Sequence, residues 1–280
     1  MQSQFSLRKP ISPPTRLATK KILIAATWLT VATPIFADTH QLHHIYPGGS
    51  TIIVKLGESL FENLDPKRQQ SLSAAPASLE FREFSITTSI ERNQNKASCQ
   101  VGVSVALIDL LNHLAHAKAI NRVQPGYFEQ YAATLARQSS GATIPVAPDI
   151  TEPRFWTADI MSEQMSYFNE MIGMTMAINL THQYLGHFIK YASQISAAES
   201  QPINNLVTPA EWEASVRMGA RNALDCAIGT EGARVLFAAI DKMPSRSGWT
   251  SLIVPQNADL KELNRKLSSY ENQYYHGGLR

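Results

Sequence analysis

The sequence predicts a mainly α-helical protein: a bundle-like helical core with a small N-terminal β/α annex. Three observations lead there. Long stretches after Cys99 carry apolar residues at helical spacing. Thr208-Pro209-Ala210-Glu211 is a helix start with Thr as N-cap, Pro at N1 and Glu at N3. The β-type runs are few, short and mostly ahead of Cys99.

Residues 1–37 read as a secretory signal peptide. Arg8, Lys9, Arg16, Lys20 and Lys21 precede an apolar stretch from Ile22 to Ala32, and Ala37 stands at the expected cleavage point before Asp38. The apolar run is 11 residues long, whereas a helix needs roughly 20 to cross a bilayer. The expected product is an exported chain, periplasmic or secreted, with no membrane anchor after cleavage. The leader holds five of the 25 basic residues and none of the 23 acidic ones, so the overall charge of +2 becomes −3 over the remainder, from 20 basic and 23 acidic residues. Nucleic acid is therefore not an expected partner, because phosphate neutralisation needs clustered Lys and Arg.

Residues 38–98 form an N-terminal segment. After the turn signal Pro47-Gly48-Gly49, Thr51–Leu56 (TIIVKL) reads as a short strand and Glu80–Ile90 as a second, with a polar, possible helix around 58–63 between them. Residues 99–280 form the helical domain. Helices are expected over Val101–Ile120, Pro125–Arg137 and Phe155–Ile195, the last broken near Gly173. The capping box starts a helix that runs to Ile228. Thr230–Met243 and the charged Asp259–Tyr275 are further helices, and Trp249–Val254 is a strand or an extended segment.

Cys99 and Cys226 are the only cysteines. In an oxidising compartment one pair most simply forms a disulfide; closing a loop of over a hundred residues would stabilise by roughly 4–5 kcal/mol. The alternative is two buried thiols.

Histidine dominates the candidate chemistry. Asp109, His113 and His116 point to about 0°, 40° and −20° on a helical wheel and share one face. Two imidazoles and a carboxylate in that array suit a metal, or a solvated helix side. The segment Thr181–His187 ends in QYLGH, which resembles the HELGH form of the zincin motif in its final residues. It departs from that motif where ligands are needed: Gln183 replaces the first His and Tyr184 the general base. His182 comes five residues before His187, about 140° away on a regular helix, and a π-bulge would bring them together. The expected metal residues are thus His182 and His187 as direct ligands, and His113 and His116 on a facing helix as further ligands or orienting partners. Among Glu163, Glu170, Glu211, Glu213 and Asp225, Glu213 is the preferred acidic partner, 26 residues after His187.

The implied cofactor is a divalent transition metal, with zinc ahead of copper, and the implied activity is metal-dependent hydrolysis. One alternative is a non-catalytic exported protein with structural histidines. A second is a Met/His copper or haem carrier, suggested by Met161, Met165, Met171, Met174 and Met176; those methionines are equally suited to core packing.

Overall fold

The structure is a computed structural model that describes residues 49–72, 77–80, 88–93, 96–137, 144–197, 202–244, 246 and 249–279. The expected signal peptide, with its cleavage site at Ala37 and Asp38, lies outside the described residues.

The architecture is mainly helical. In chain order the first elements are α1 (Gly49–Glu62), α2 (Pro66–Ser71), β1 (Ala77–Glu80), β2 (Thr88–Asn93), β3 (Lys96–Ser104), α3 (Val105–Ile120) and α4 (Tyr127–Arg137). There follow α5 (Ala158–Tyr184), α6 (His187–Lys190), α7 (Ala192–Ala197), α8 (Pro209–Asp225), α9 (Glu231–Asp241), α10 (Trp249–Ile253) and α11 (Leu260–Tyr275). Short 3-10 turns, Pro153–Trp156 and Ile203–Asn205, precede α5 and α8.

Two helices form the centre. Every residue from 107 to 117 in α3 and from 171 to 183 in α5 is buried, so neither segment has a solvated stripe. A helix buried on all sides loses the polar face that marks a surface helix. The polar side chains on these segments therefore sit inside the protein. Around α5 pack α3, α8, α9 and α1. Gly219 brings α8 close: a Cβ there would lie 3.0 Å from the Ile178 nitrogen, so only glycine lets the backbones approach. Gly173 does not break α5. It makes room for Ile228, whose Cδ1 would stand 3.0 Å from an added Cβ.

The expected strand at Thr51–Leu56 is instead part of α1. Its β-branched residues belong to a longer pattern in which Ile53, Gly57, Leu60 and Leu64 are buried at helical spacing. This face joins the main core, and the Leu60 carbonyl accepts a hydrogen bond from Asn222 Nδ2 of α8 at 3.1 Å. The second expected strand, Glu80–Ile90, falls on two elements. Glu80 closes β1, Thr88 opens β2, and residues 81–87 lie outside the described residues. The strand order is β1-β3-β2, with Ala77 opposite Val101 in the parallel pair and Ile90 opposite Cys99 in the antiparallel pair. β3 runs through the boundary expected between residues 98 and 99.

Trp249–Val254 is helical over α10 rather than extended. The capping box at Thr208 is present: Thr208 Oγ accepts from the Glu211 N–H at 3.3 Å, and Glu211 Oε2 accepts from the Thr208 N–H at 2.8 Å. α8 stops at Asp225, before the expected Ile228, and Ala227 follows with a left-handed φ of 60°.

The expected Cys99–Cys226 disulfide is not formed: Cys226 is a free cysteine. Its thiol, at the C-cap of α8, donates to the Ser59 carbonyl of α1 at 3.3 Å, and burial raises its pKa. Cys99 is on β3. No helix among the described residues is long and apolar enough to cross a membrane.

Candidate functional site

His182 and His187 meet where α5 ends. His182 is fully buried in the last turn of α5. The helix then breaks at Leu185 and Gly186, not through a π-bulge. Gly186 adopts a left-handed conformation, φ 76° and ψ 15°, and α6 restarts at His187. That reversal replaces the separation of a continuous helix with direct contact, and the two Nδ1 atoms lie 2.8 Å apart. One of them donates and the other accepts, so the pair shares one proton when neutral.

α8 completes the surroundings. Ser215 Oγ is 3.2 Å from His182 Nδ1 and donates to the Glu211 carbonyl one turn earlier at 2.9 Å. Asn204 lies beside the His182 ring and favours its charged form, yet neither His182 Nε2 nor Asn204 Oδ1 makes a well-formed hydrogen bond. Burial, and then the His187 charge, lower the His182 pKa to about 3 and keep the ring neutral. Burial also lowers the His187 pKa; Glu211 opposes this and Lys190 adds to it. Glu211 therefore acts electrostatically on both imidazoles.

The Glu211 carboxylate is heavily bonded. Oε1 accepts from Lys190 Nζ at 2.6 Å. Oε2 accepts from Tyr191 Oη at 2.8 Å, the Thr208 N–H at 2.8 Å and Thr208 Oγ at 2.9 Å. Led by the Lys190 bond, these donors lower its pKa to about 2.

The other expected ligands are elsewhere. His113 and His116 are not on a solvated side of α3: both are buried, as is Asp109. His116 Nε2–H donates to the Phe155 carbonyl at 2.7 Å, and its ring meets the Trp156 edge at a centroid distance of 4.5 Å. The His113 ring is 6.1 Å from that of Tyr131 on α4. These contacts lie towards the beginning of α5. Lys118, just past His116, sits over the Tyr167 ring; Tyr167 to His182 is about 22 Å of helix at 1.5 Å per residue. Antiparallel packing of α3 on α5 thus keeps the two histidine pairs apart. Glu213 is turned to α11, where it accepts from Lys266 Nζ at 2.7 Å.

Two residues in sequence separate Glu213 from Glu211, about 200° around a helix. The spacing of Glu211 and Ser215, one turn apart, marks the face of α8 that meets His182. Glu163 pairs with Arg122 at 3.5 Å, Asp225 with Arg221 at 3.8 Å, and Glu170 accepts from the Gly232 N–H at 2.5 Å. Met171, Met174 and Met176 are core residues. Among the described residues, no three His, Cys, Asp or Glu side chains stand together in metal-ligating geometry. Comparison with known protein families, with curated proteins and with solved structures gives no match to the chain.

Proposed function

We propose that the chain is exported after loss of residues 1–37 and binds one divalent transition metal, zinc or copper, at His182 and His187. The convergence of the two Nδ1 atoms at 2.8 Å carries this reading. Zinc–nitrogen bonds of about 2.0–2.1 Å place two imidazole donors on one ion about 3 Å apart or slightly more. A small opening of the pair would replace the shared proton with a metal. Neutral rings are the form that ligates, and burial favours it here for His182 and His187 alike.

A binding role fits this chemistry better than hydrolysis. Ser215 is fully buried, and Glu211, held ionised by four donors, is a poor proton acceptor. Elemental analysis of untagged protein from its native compartment should find about one equivalent of metal. Protein that stays metal-free after incubation with zinc and with copper would overturn the proposal.

A second reading, a non-catalytic exported protein with structural histidines, has its own observation. The imidazole–imidazole distance is that of an ordinary hydrogen bond, and His116 is likewise satisfied by a backbone carbonyl. On that reading His187→Ala lowers the melting temperature of protein that never takes up metal.

A further inference from the structure

We propose that Asn204 fixes the tautomers of both imidazoles: His182 carries its proton on Nε2 and presents Nδ1 as a lone-pair nitrogen, and His187 carries its proton on Nδ1. The proton placement stands on hydrogen bonding alone; its consequence for ligation rests on the metal reading above.

The order of donors starts at a backbone carbonyl. Asn204 lies in the 3-10 turn Ile203–Asn205 and is buried. Its Nδ2 donates to the Leu252 carbonyl of α10 at 2.9 Å. A carbonyl only accepts, so turning the amide over would set two oxygens against each other. Oδ1 is thereby left on the other branch of the amide, buried and without another partner among the described residues.

That oxygen has one ring nitrogen to serve. Asn204 acts on the His182 ring and favours its charged form, as an amide oxygen does and an amide N–H does not. Nδ1 of the ring already has neighbours, His187 Nδ1 at 2.8 Å and Ser215 Oγ at 3.2 Å. Nε2 is buried and, like Asn204 Oδ1, has no other partner among the described residues. Both atoms are satisfied when Nε2 bears the proton, and both stay unpaired in the interior when it does not.

The rest follows from counting protons. A neutral His182 with its proton on Nε2 can only accept at Nδ1, so His187 Nδ1–H is the donor across the 2.8 Å contact. Ser215 does not decide the matter: its single O–H turns between His182 Nδ1 and the Glu211 carbonyl, and its lone pairs suit either tautomer.

Asn204 is thus a positioning residue, acting on a metal only through His182. A ligating imidazole commonly donates its other N–H to an acceptor that holds the ring in place. His182 is already in the ligating form. A metal shared by the two Nδ1 atoms then requires one proton to move, from His187 Nδ1 to His187 Nε2, and none to leave.

The test is a long-range 1H–15N correlation spectrum of the metal-free protein labelled with 15N-imidazole histidine, the two rings being assigned with His182→Gln and His187→Gln. At a pH where both rings are neutral, His182 should be the Nε2–H tautomer and His187 the Nδ1–H tautomer. Asn204→Leu should let the two proton placements mix, whereas Asn204→Asp, which keeps an acceptor, should retain the order. An Nδ1–H tautomer at His182 in wild type would overturn the proposal, whether or not the variants fold. Unchanged tautomers in folded Asn204→Leu would overturn it too. In a zinc competition titration against a chromogenic chelator, Asn204→Leu should bind about tenfold more weakly than wild type. Equal affinity would overturn the positioning role and leave the imidazole pair as ligands. No zinc uptake by wild type would overturn the metal reading, with the spectra still deciding the tautomers.

Discussion

Gly186 governs the geometry of the His182–His187 pair more directly than either histidine does. A five-residue separation on a continuous helix points the two rings apart; one left-handed residue turns the chain back so that they touch. The position is open, with no atom within 4 Å of an added Cβ, so the cost of substitution lies in the backbone and not in a clash. Gly186→Ala should destabilise by about 1–2 kcal/mol, measured by urea unfolding, and should weaken metal binding beyond that of a surface control. Unchanged stability would mean that the turn has another conformation. Much of this is written locally: the segment Thr181–His187 carries both histidines. A helix end at Gly186 was missed because the apolar pattern continues past it through Phe188 and Tyr191. Glu213, expected from its chain separation, faces Lys266 of α11, because separation along the chain carries no angular information.

The helices were legible where their ends are chemically marked. Thr208 begins α8 as the capping box predicts, and Asp259 caps α11 by accepting from the Lys261 and Glu262 N–H groups. Elements read from residue type alone fared worse. Ile52, Ile53 and Val54 carry strong β preference, yet they lie in α1, where burial of Ile53 and Leu60 against the core decides the outcome. Glycine was ambiguous in the same way: Gly173 looked like a breaker but serves packing, as does Gly219. The α5–α8 contact gives a sharp expectation. Gly219→Ala would place Cβ 3.0–3.1 Å from backbone atoms of Ala177 and Ile178, and backbone cannot rotate away. The substitution should cost about 1–3 kcal/mol and separate α8, with Ser215 and Glu211, from His182. Thermal denaturation checks the first effect and zinc affinity the second; no change in melting temperature would show that the helices are not in close contact.

Across the whole molecule, Asp109, His113 and His116, for which a solvated side of the helix was one of two expectations, are interior, because α3 is enclosed by the elements packed around it. Which partner meets which residue depends on long-range packing, and no local pattern encodes it. Glu170 shows the energetic consequence. Burial raises its pKa, with the Gly232 N–H opposing and Glu231 adding to the rise. A carboxyl whose folded pKa is raised contributes stability below its unfolded value and loses it as pH climbs through the folded value. Glu170→Gln keeps an acceptor for Gly232 and removes the buried charge, so its melting temperature should exceed that of wild type near pH 7. The difference should shrink as pH falls below the ordinary carboxylate range; a constant offset would show that Glu170 is not perturbed by burial. The free Cys226 has a parallel reading: melting temperature should be unaffected by a reductant, and a drop of several degrees would indicate a bridge.

The proposed function requires that His182 and His187 together hold a metal. Isothermal titration of metal-free protein with zinc tests it most directly when wild type is compared with His187→Ala, the less buried of the two sites. One equivalent bound by wild type and a loss of that binding in His187→Ala are expected, with both proteins folded by circular dichroism. Equal binding by the two proteins, or none by either, would contradict it.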